Sequence, residues 1–306
     1  MTSPTPPAPQ RHAARRSIVG EDTPIARALP NRDRRMVGAW CFLDHAGPLR
    51  FAPGKGMHVG AHPHIGLQTF TWMIEGEFLH RDSLGYEQVV RPGQVNLMTA
   101  GRGVAHSEDS VHDGASLHAA QLWIALPEAE RQREPAFCNY ADLPVVQADG
   151  FRITVLAGTV LGQTAPTRVY SPLSGADLSC DGPARTTLPL DPTFEYGALV
   201  LRGEATLAGE RLSADELLFF PAGRHELSLQ TDGPAEILLL GGEPFGEAII
   251  LWWNFVGRTH QDMEQALADW NAHPNTGGCF GTVRPGCLAT PLKAPSLEGV
   301  HLKPGA

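Results

Sequence analysis

The chain has 306 residues, a formal net charge of −9, 33 glycines, 26 prolines and 42% apolar residues. Glycine and proline approach one residue in five, against roughly one in eight on average, which excludes helical bundles and coiled coils. No apolar run nears the ~18–20 residues of a membrane helix, and a pI near 5.8 gives no basic field for nucleic acid.

Along the chain, residues 1–20 open as a Pro-rich tail from Thr2 to Pro9 and are expected to be solvated and disordered. Several arginines follow (Arg11, Arg15, Arg16, Arg27), but no apolar core of a secretory signal is present. Asp44-His45 falls in a loop-like segment. From about Leu49 to Leu126 the pattern is short strands cut by glycine turns. Gln68 to Ile74 alternates, with Phe70, Trp72 and Ile74 on one face. Turns follow at Glu75-Gly76, Leu84-Gly85 and Pro92-Gly93, and Val95–Met98 and Leu117–Leu126 read as further strands. Pro127 to Pro144 is mainly polar and reads as a connector.

The same texture then returns. Arg152–Ala157, Ala198–Arg202, Glu216–Phe220 and Glu236–Leu240 are strand candidates, with turns at Gly203, Gly209, Pro221 and Gly223. One helix is expected over His260–Ala272, capped by Thr259 with Asp262 and striped by Met263, Leu267 and Trp270. The expected architecture is all-β: two tandem barrels, over 21–140 and 141–306, the second carrying the C-terminal helix. Five cysteines, odd in number and without a CxxC, point to reduced thiols and a cytoplasmic protein.

The histidines cluster. His62 and His64 stand two apart, and His106 is followed two residues later by Glu108. On a strand, residues i and i+2 share a face about 6.6 Å apart, so each pair can aim at one point. Two such pairs facing each other in a barrel make a site of three histidines and one carboxylate. That donor set suits Fe(II), Mn, Ni, Cu or Zn, whereas calcium would want more oxygens. His58 reads as a turn or surface residue, and Gln68 either hydrogen-bonds a ligand or a bound water, or packs. Gly66 is expected to leave room beside the metal. Phe70, Trp72 and Trp123 read as core more than as substrate stackers.

Gly56, five residues, His62-Pro63-His64, then Pro92-Gly93 and a Gly-x-x-His segment resemble the two motifs of the cupin superfamily. Gln68 stands where the first motif has its Glu. The displaced carboxylate, Glu108, together with His-Pro-His and the run Met98 to Glu108, resembles the pirin family. So do Phe42–Pro48, Gln121-Leu122-Trp123 and Leu240–Pro244; Ile65 stands where pirins usually carry an arginine.

The resemblance implies a bicupin with one mononuclear iron, held by His62, His64, His106 and Glu108 in the first barrel. In the second barrel Phe194 and Tyr196 replace the paired histidines and His225 stands alone, so that barrel is expected to be filled by side chains. The resemblance also implies a quercetin 2,3-dioxygenase type of activity, the opening of a flavonol's central ring with O₂ and release of carbon monoxide. Glu108 would take the flavonol's hydroxyl proton. An iron-dependent regulatory protein that contacts another protein is the alternative.

Overall fold

The structure is a computed structural model in which residues 8–20 and 22–305 are described. The expected tail residues 1–7 lie outside the described residues. Among the described residues, twelve strands make up the first part of the chain. They are β1 (Gln10–Ala13), β2 (Arg15–Val19), β3 (Thr23–Leu29), β4 (Trp40–Arg50), β5 (His58–His64) and β6 (Leu67–Glu75), followed by β7 (Phe78–Asp82), β8 (Glu87–Val90), β9 (Val95–Thr99), β10 (Val104–Ser110), β11 (Ser116–Ala125) and β12 (Ala136–Tyr140). Glycines with positive φ close the turns: Gly76, Gly85 and Gly93 here, and Gly203, Gly209 and Gly223 later in the chain.

The chain groups into two compact units, each an antiparallel barrel. One comprises residues 17–25, 46–141 and 246–306; the other comprises 1–16, 26–45 and 142–245. The chain passes from one to the other within β2, within β3 and within β4. In the first unit a four-stranded sheet, β5-β10-β7-β8, accompanies a seven-stranded sheet, β12-β9-β6-β11-β4-β3-β2. Their shared core sets Met57, Val59, Phe78 and Val90 against Ile25, Met73, Leu117 and Ala119. Burying each such side chain contributes about 1.5–3 kcal/mol.

In the other unit, Gln10–Ala13 pairs with Glu216–Phe220 at the edge of a second seven-stranded sheet. A four-stranded sheet completes the barrel, and Phe151, Ile153, Leu178, Val200, Phe220, Leu229 and Ile237 fill its interior. Tyr196 is buried there, its hydroxyl accepting from the Asp191 N–H at 2.9 Å, with Phe194 packed alongside; His225 is exposed.

The fold is the expected all-β pair of barrels with a C-terminal helix, α1 (His260–Ala272). Thr259 and Asp262 form a reciprocal capping box, and Met263, Ala266 and Trp270 form its buried face. Three expectations are corrected. Gln10–Ala13 and Arg15–Val19 are strands, not tail; the Arg11 guanidinium donates to Glu216 Oε1 at 3.1 Å, which fixes β1 in its ladder. The polar stretch 127–144 is more than a connector, since Ala136–Tyr140 pairs along Val95–Thr99. Asp44-His45 lies inside β4 rather than a loop, with Asp44 accepting the Arg27 fork at 2.7 Å twice.

The helix also belongs to a different barrel from the one expected. Met263 and Trp270 pack with Phe255 and Phe280 against Ala61 and Ala105 of the first barrel. Among the described residues no helix is long and apolar enough to cross a membrane.

Candidate metal centre

The adjacent strands β5 and β10 place the histidines. His106 lies directly opposite His62 in their antiparallel ladder, and His64 opposite Val104. Side chains of directly opposed residues share a face, so His62, His64 and His106 all point into the barrel. Their ring centroids are 4.3 Å (His62–His106), 5.0 Å (His64–His106) and 5.1 Å (His62–His64) apart. All three are buried, and one ligand atom from each lies within 4.8 Å of the others. The i,i+2 spacing pointed to these three together with Glu108, and the three histidines meet here.

The ring nitrogens are sorted by their partners. His62 Nδ1 donates to the Gly60 carbonyl at 2.8 Å, and His64 Nδ1 to the Asn254 carbonyl at 3.0 Å. A carbonyl only accepts, so both protons sit on Nδ1 and both Nε2 atoms are bare. Burial pushes the His62 imidazole down to about 4, and burial with the neighbouring imidazoles pushes His64 and His106 well below the ordinary value. Three neutral imidazoles with inward lone pairs are the donor set of a divalent transition metal.

Glu108 sits elsewhere than the spacing implied. A β-bulge shifts the β5–β10 register after His106, so Glu108 opposes Val59, while on the other side it opposes His80 of β7. Its carboxylate therefore groups with His80 and His106, one ligand atom of each within 4.8 Å. Burial, and secondarily the charge of Asp109, pushes the Glu108 carboxyl up to about 7. A bound cation would reverse that direction by favouring the carboxylate.

His80 is the residue missed in the sequence. It lies on β7 in His80-Arg81-Asp82, the same i,i+2 pattern that marked the other pairs, and is buried together with Asp82. The Phe137 ring of β12 stacks on it at 4.6 Å and 17°. Trp123 of β11 meets His64 edge-on at 5.2 Å, so this buried tryptophan also walls the site.

The remaining candidates fall outside the cluster. His58 binds Asp109 Oδ1 at 2.9 Å, and Gln68 donates to Thr99 Oγ1 at 2.9 Å. Ile65 packs against the Phe255–Trp270 cluster. The space beside Gly66 is taken by backbone, since a Cβ there would lie 2.1 Å from the Val256 carbonyl oxygen. The Cys279 thiol lies 3.6 Å from Asp269 and the Cys287 thiol 3.5 Å from Asp109.

Known proteins share this arrangement of sequence and fold. The family model "Pirin" matches residues 22–124, and "Pirin C-terminal cupin domain" matches residues 175–276. A Pseudomonas aeruginosa protein named "Putative quercetin 2,3-dioxygenase" is 55% identical over 261 residues, spanning 85% of this chain and 83% of its own. A "Pirin-like protein" of Caulobacter vibrioides is 37% identical, over 85% of this chain and 91% of its own. The crystal structure of quercetin 2,3-dioxygenase from Acinetobacter baumannii superposes with a TM-score of 0.92 at 47% identity, covering 97% of both chains.

Proposed function

We propose that this chain, which belongs to the pirin family, is a metal-dependent dioxygenase of the quercetin 2,3-dioxygenase type, acting on a flavonol-like aromatic substrate with O₂. The observation that carries this reading is the convergence of three buried, neutral imidazoles whose Nδ1 atoms are engaged or turned away from the shared point. Relatives named for the same reaction at 47–55% identity support it.

In this proposal His62, His64 and His106 hold one divalent metal, with Glu108, which groups with His106 and His80, as its carboxylate ligand. Fe(II) is the choice that suits O₂ as co-substrate, and Mn, Ni, Cu or Zn share the same donor preferences. When bound, such a metal supplies a Lewis acid and an electron donor toward O₂. Glu108 accepts the flavonol's hydroxyl proton as a carboxylate, the form a bound cation would favour over the value of about 7 to which burial pushes it in the metal-free chain. Trp123, edge-on to His64, and Phe137, stacked on His80, give the site flat apolar walls that exclude water and match an aromatic ring system. Five cysteines, odd in number and without a CxxC, fit a cytoplasmic setting.

The test is metal analysis of protein purified without a metal-affinity tag, followed by O₂ uptake and carbon monoxide release with quercetin. Iron-loaded protein should turn over, and His62→Ala and Glu108→Ala should each lose at least about a hundredfold in kcat/KM. Equal turnover by metal-free protein would overturn the mechanism, and unchanged turnover in Glu108→Ala would remove Glu108 as the proton acceptor.

A further inference from the structure

His62 and His64 have their tautomers fixed by backbone carbonyls, but His106 does not. Its Nδ1 faces another imidazole, His80 Nδ1, at 3.3 Å, and that partner can donate or accept. Locally, therefore, the His106 proton could sit on either nitrogen. One choice leaves Nε2 bare toward the cluster; the other blocks it with a proton.

The ambiguity ends at Asp82. Its Oδ1 accepts the backbone N–H groups of both Leu84 and Tyr86 at 3.0 Å, which fixes the plane of the carboxylate. Its Oδ2 faces His80 Nε2 at 3.2 Å and can only accept, so the His80 proton is on Nε2. His80 Nδ1 is then bare, and His106 Nδ1 must be the donor between the two rings. His106 Nε2 is left bare, 3.1 Å from the equally bare His64 Nε2. Two lone pairs at that distance repel unless a cation lies between them. His80 and Asp82 are almost without solvent exposure (1% and 0%), and Phe137 stacked on His80 fixes the ring's rotation.

We propose that Asp82 and His80 are positioning residues, a buried carboxylate–imidazole relay that holds His106 as the Nδ1–H tautomer and so presents its Nε2 as a metal donor. This rests on the metal reading of His62, His64 and His106. The relay acts on the shared point of the three histidines through His106, and its His80 also groups with the Glu108 carboxylate.

Asp82→Asn tests the polarity of the relay while keeping its shape. The Asn oxygen must face the Leu84 and Tyr86 N–H groups, so its NH₂ group faces His80 Nε2. His80 then carries its proton on Nδ1, and the His106 proton is driven to Nε2. Nitrogen-15 spectra of the histidine rings in the metal-free full chain should show His80 changing from Nε2–H to Nδ1–H. Zn(II) affinity, measured by chelator competition, should fall about 10–100-fold. If Asp82→Asn does not fold, a second pair decides. His80→Asn retains an oxygen near the Nδ1 position and should bind Zn(II) more tightly than His80→Leu.

An unchanged His80 tautomer, or Zn(II) affinity equal to wild type in Asp82→Asn, would overturn the relay. So would equal affinity in His80→Asn and His80→Leu. Wild-type protein that binds no Zn(II), with the same result for His62→Ala, would instead overturn the metal reading beneath it.

Discussion

At the scale of single residues, the site is defined by groups whose charge has been suppressed. Glu108 titrates near 7 in the folded chain against an ordinary 4.5, mainly through burial. The folded state therefore holds a proton that the unfolded chain releases between those values. Glu108's contribution to stability is full below pH 4.5 and is lost as pH rises through 7. His62 has the opposite sign: lowered from 6.5 to about 4, it contributes stability above pH 6.5 that is lost as pH falls through 4. In metal-free protein, Glu108→Gln should match wild type near pH 4 and exceed it at pH 8 by as much as about 3 kcal/mol. Urea denaturation across that range reads the difference, and parallel curves for the two proteins would contradict the assignment.

At the scale of elements, a strand's rigid period of two puts His62 and His64 on one face, whereas the pairing of β5 with β10 that brings His106 to them was implied only by the resemblance. Glu108 obeys the same period on β10, yet the bulge on β5 moves its cross-strand neighbour by one residue. A bulge has no sequence signature this strong, so the partner of Glu108 was not legible. His80 was legible in principle, since His80-Arg81-Asp82 repeats the paired spacing, but nothing in the sequence showed that β7 lies next to β10. Gly60 sits at the bulge and supplies the carbonyl that orients His62. A Cβ on Gly60 would stand 1.8 Å from the Thr290 carbonyl oxygen, and Leu292 N donates to the Ala61 carbonyl at 2.9 Å. Gly60→Ala must push this C-terminal strap off β5, so we expect a loss of about 1–3 kcal/mol in thermal unfolding and faster proteolysis within residues 286–297. The helix cap gives a smaller, independent effect. Thr259→Ala removes the bond to the Asp262 N–H, 3.1 Å long, and should cost about 1 kcal/mol in thermal unfolding without altering Zn(II) affinity in chelator competition.

At the scale of the whole molecule, the two barrels are interleaved in the chain, and a split near residue 141 would cut through that interleaving. Turn spacing revealed two repeats of β texture; it held no information on pairings such as Gln10–Ala13 with Glu216–Phe220, some two hundred residues apart. The consequence for the site is direct. The Asn254 carbonyl that fixes the His64 tautomer comes from the C-terminal part of the chain. So do Phe255, Met263, Trp270 and Phe280, which pack on Ala61 of β5 and Ala105 of β10, each next to a histidine of the cluster. A fragment ending at residue 141 keeps His62, His64, His80, His106 and Glu108 but loses this support. Without the Asn254 carbonyl the His64 ring is free to rotate and to carry its proton on either nitrogen, and without the apolar cover the cluster becomes hydrated. The fragment should therefore bind Zn(II) at least about tenfold more weakly than the full chain in chelator competition. Adding the segment 246–306 in trans should recover part of that affinity, because the lost contacts are non-covalent packing and hydrogen bonds. A fragment that binds as tightly as the full chain would show that β5, β7 and β10 organise the imidazoles alone, and that the C-terminal part serves the barrel's stability without serving its site.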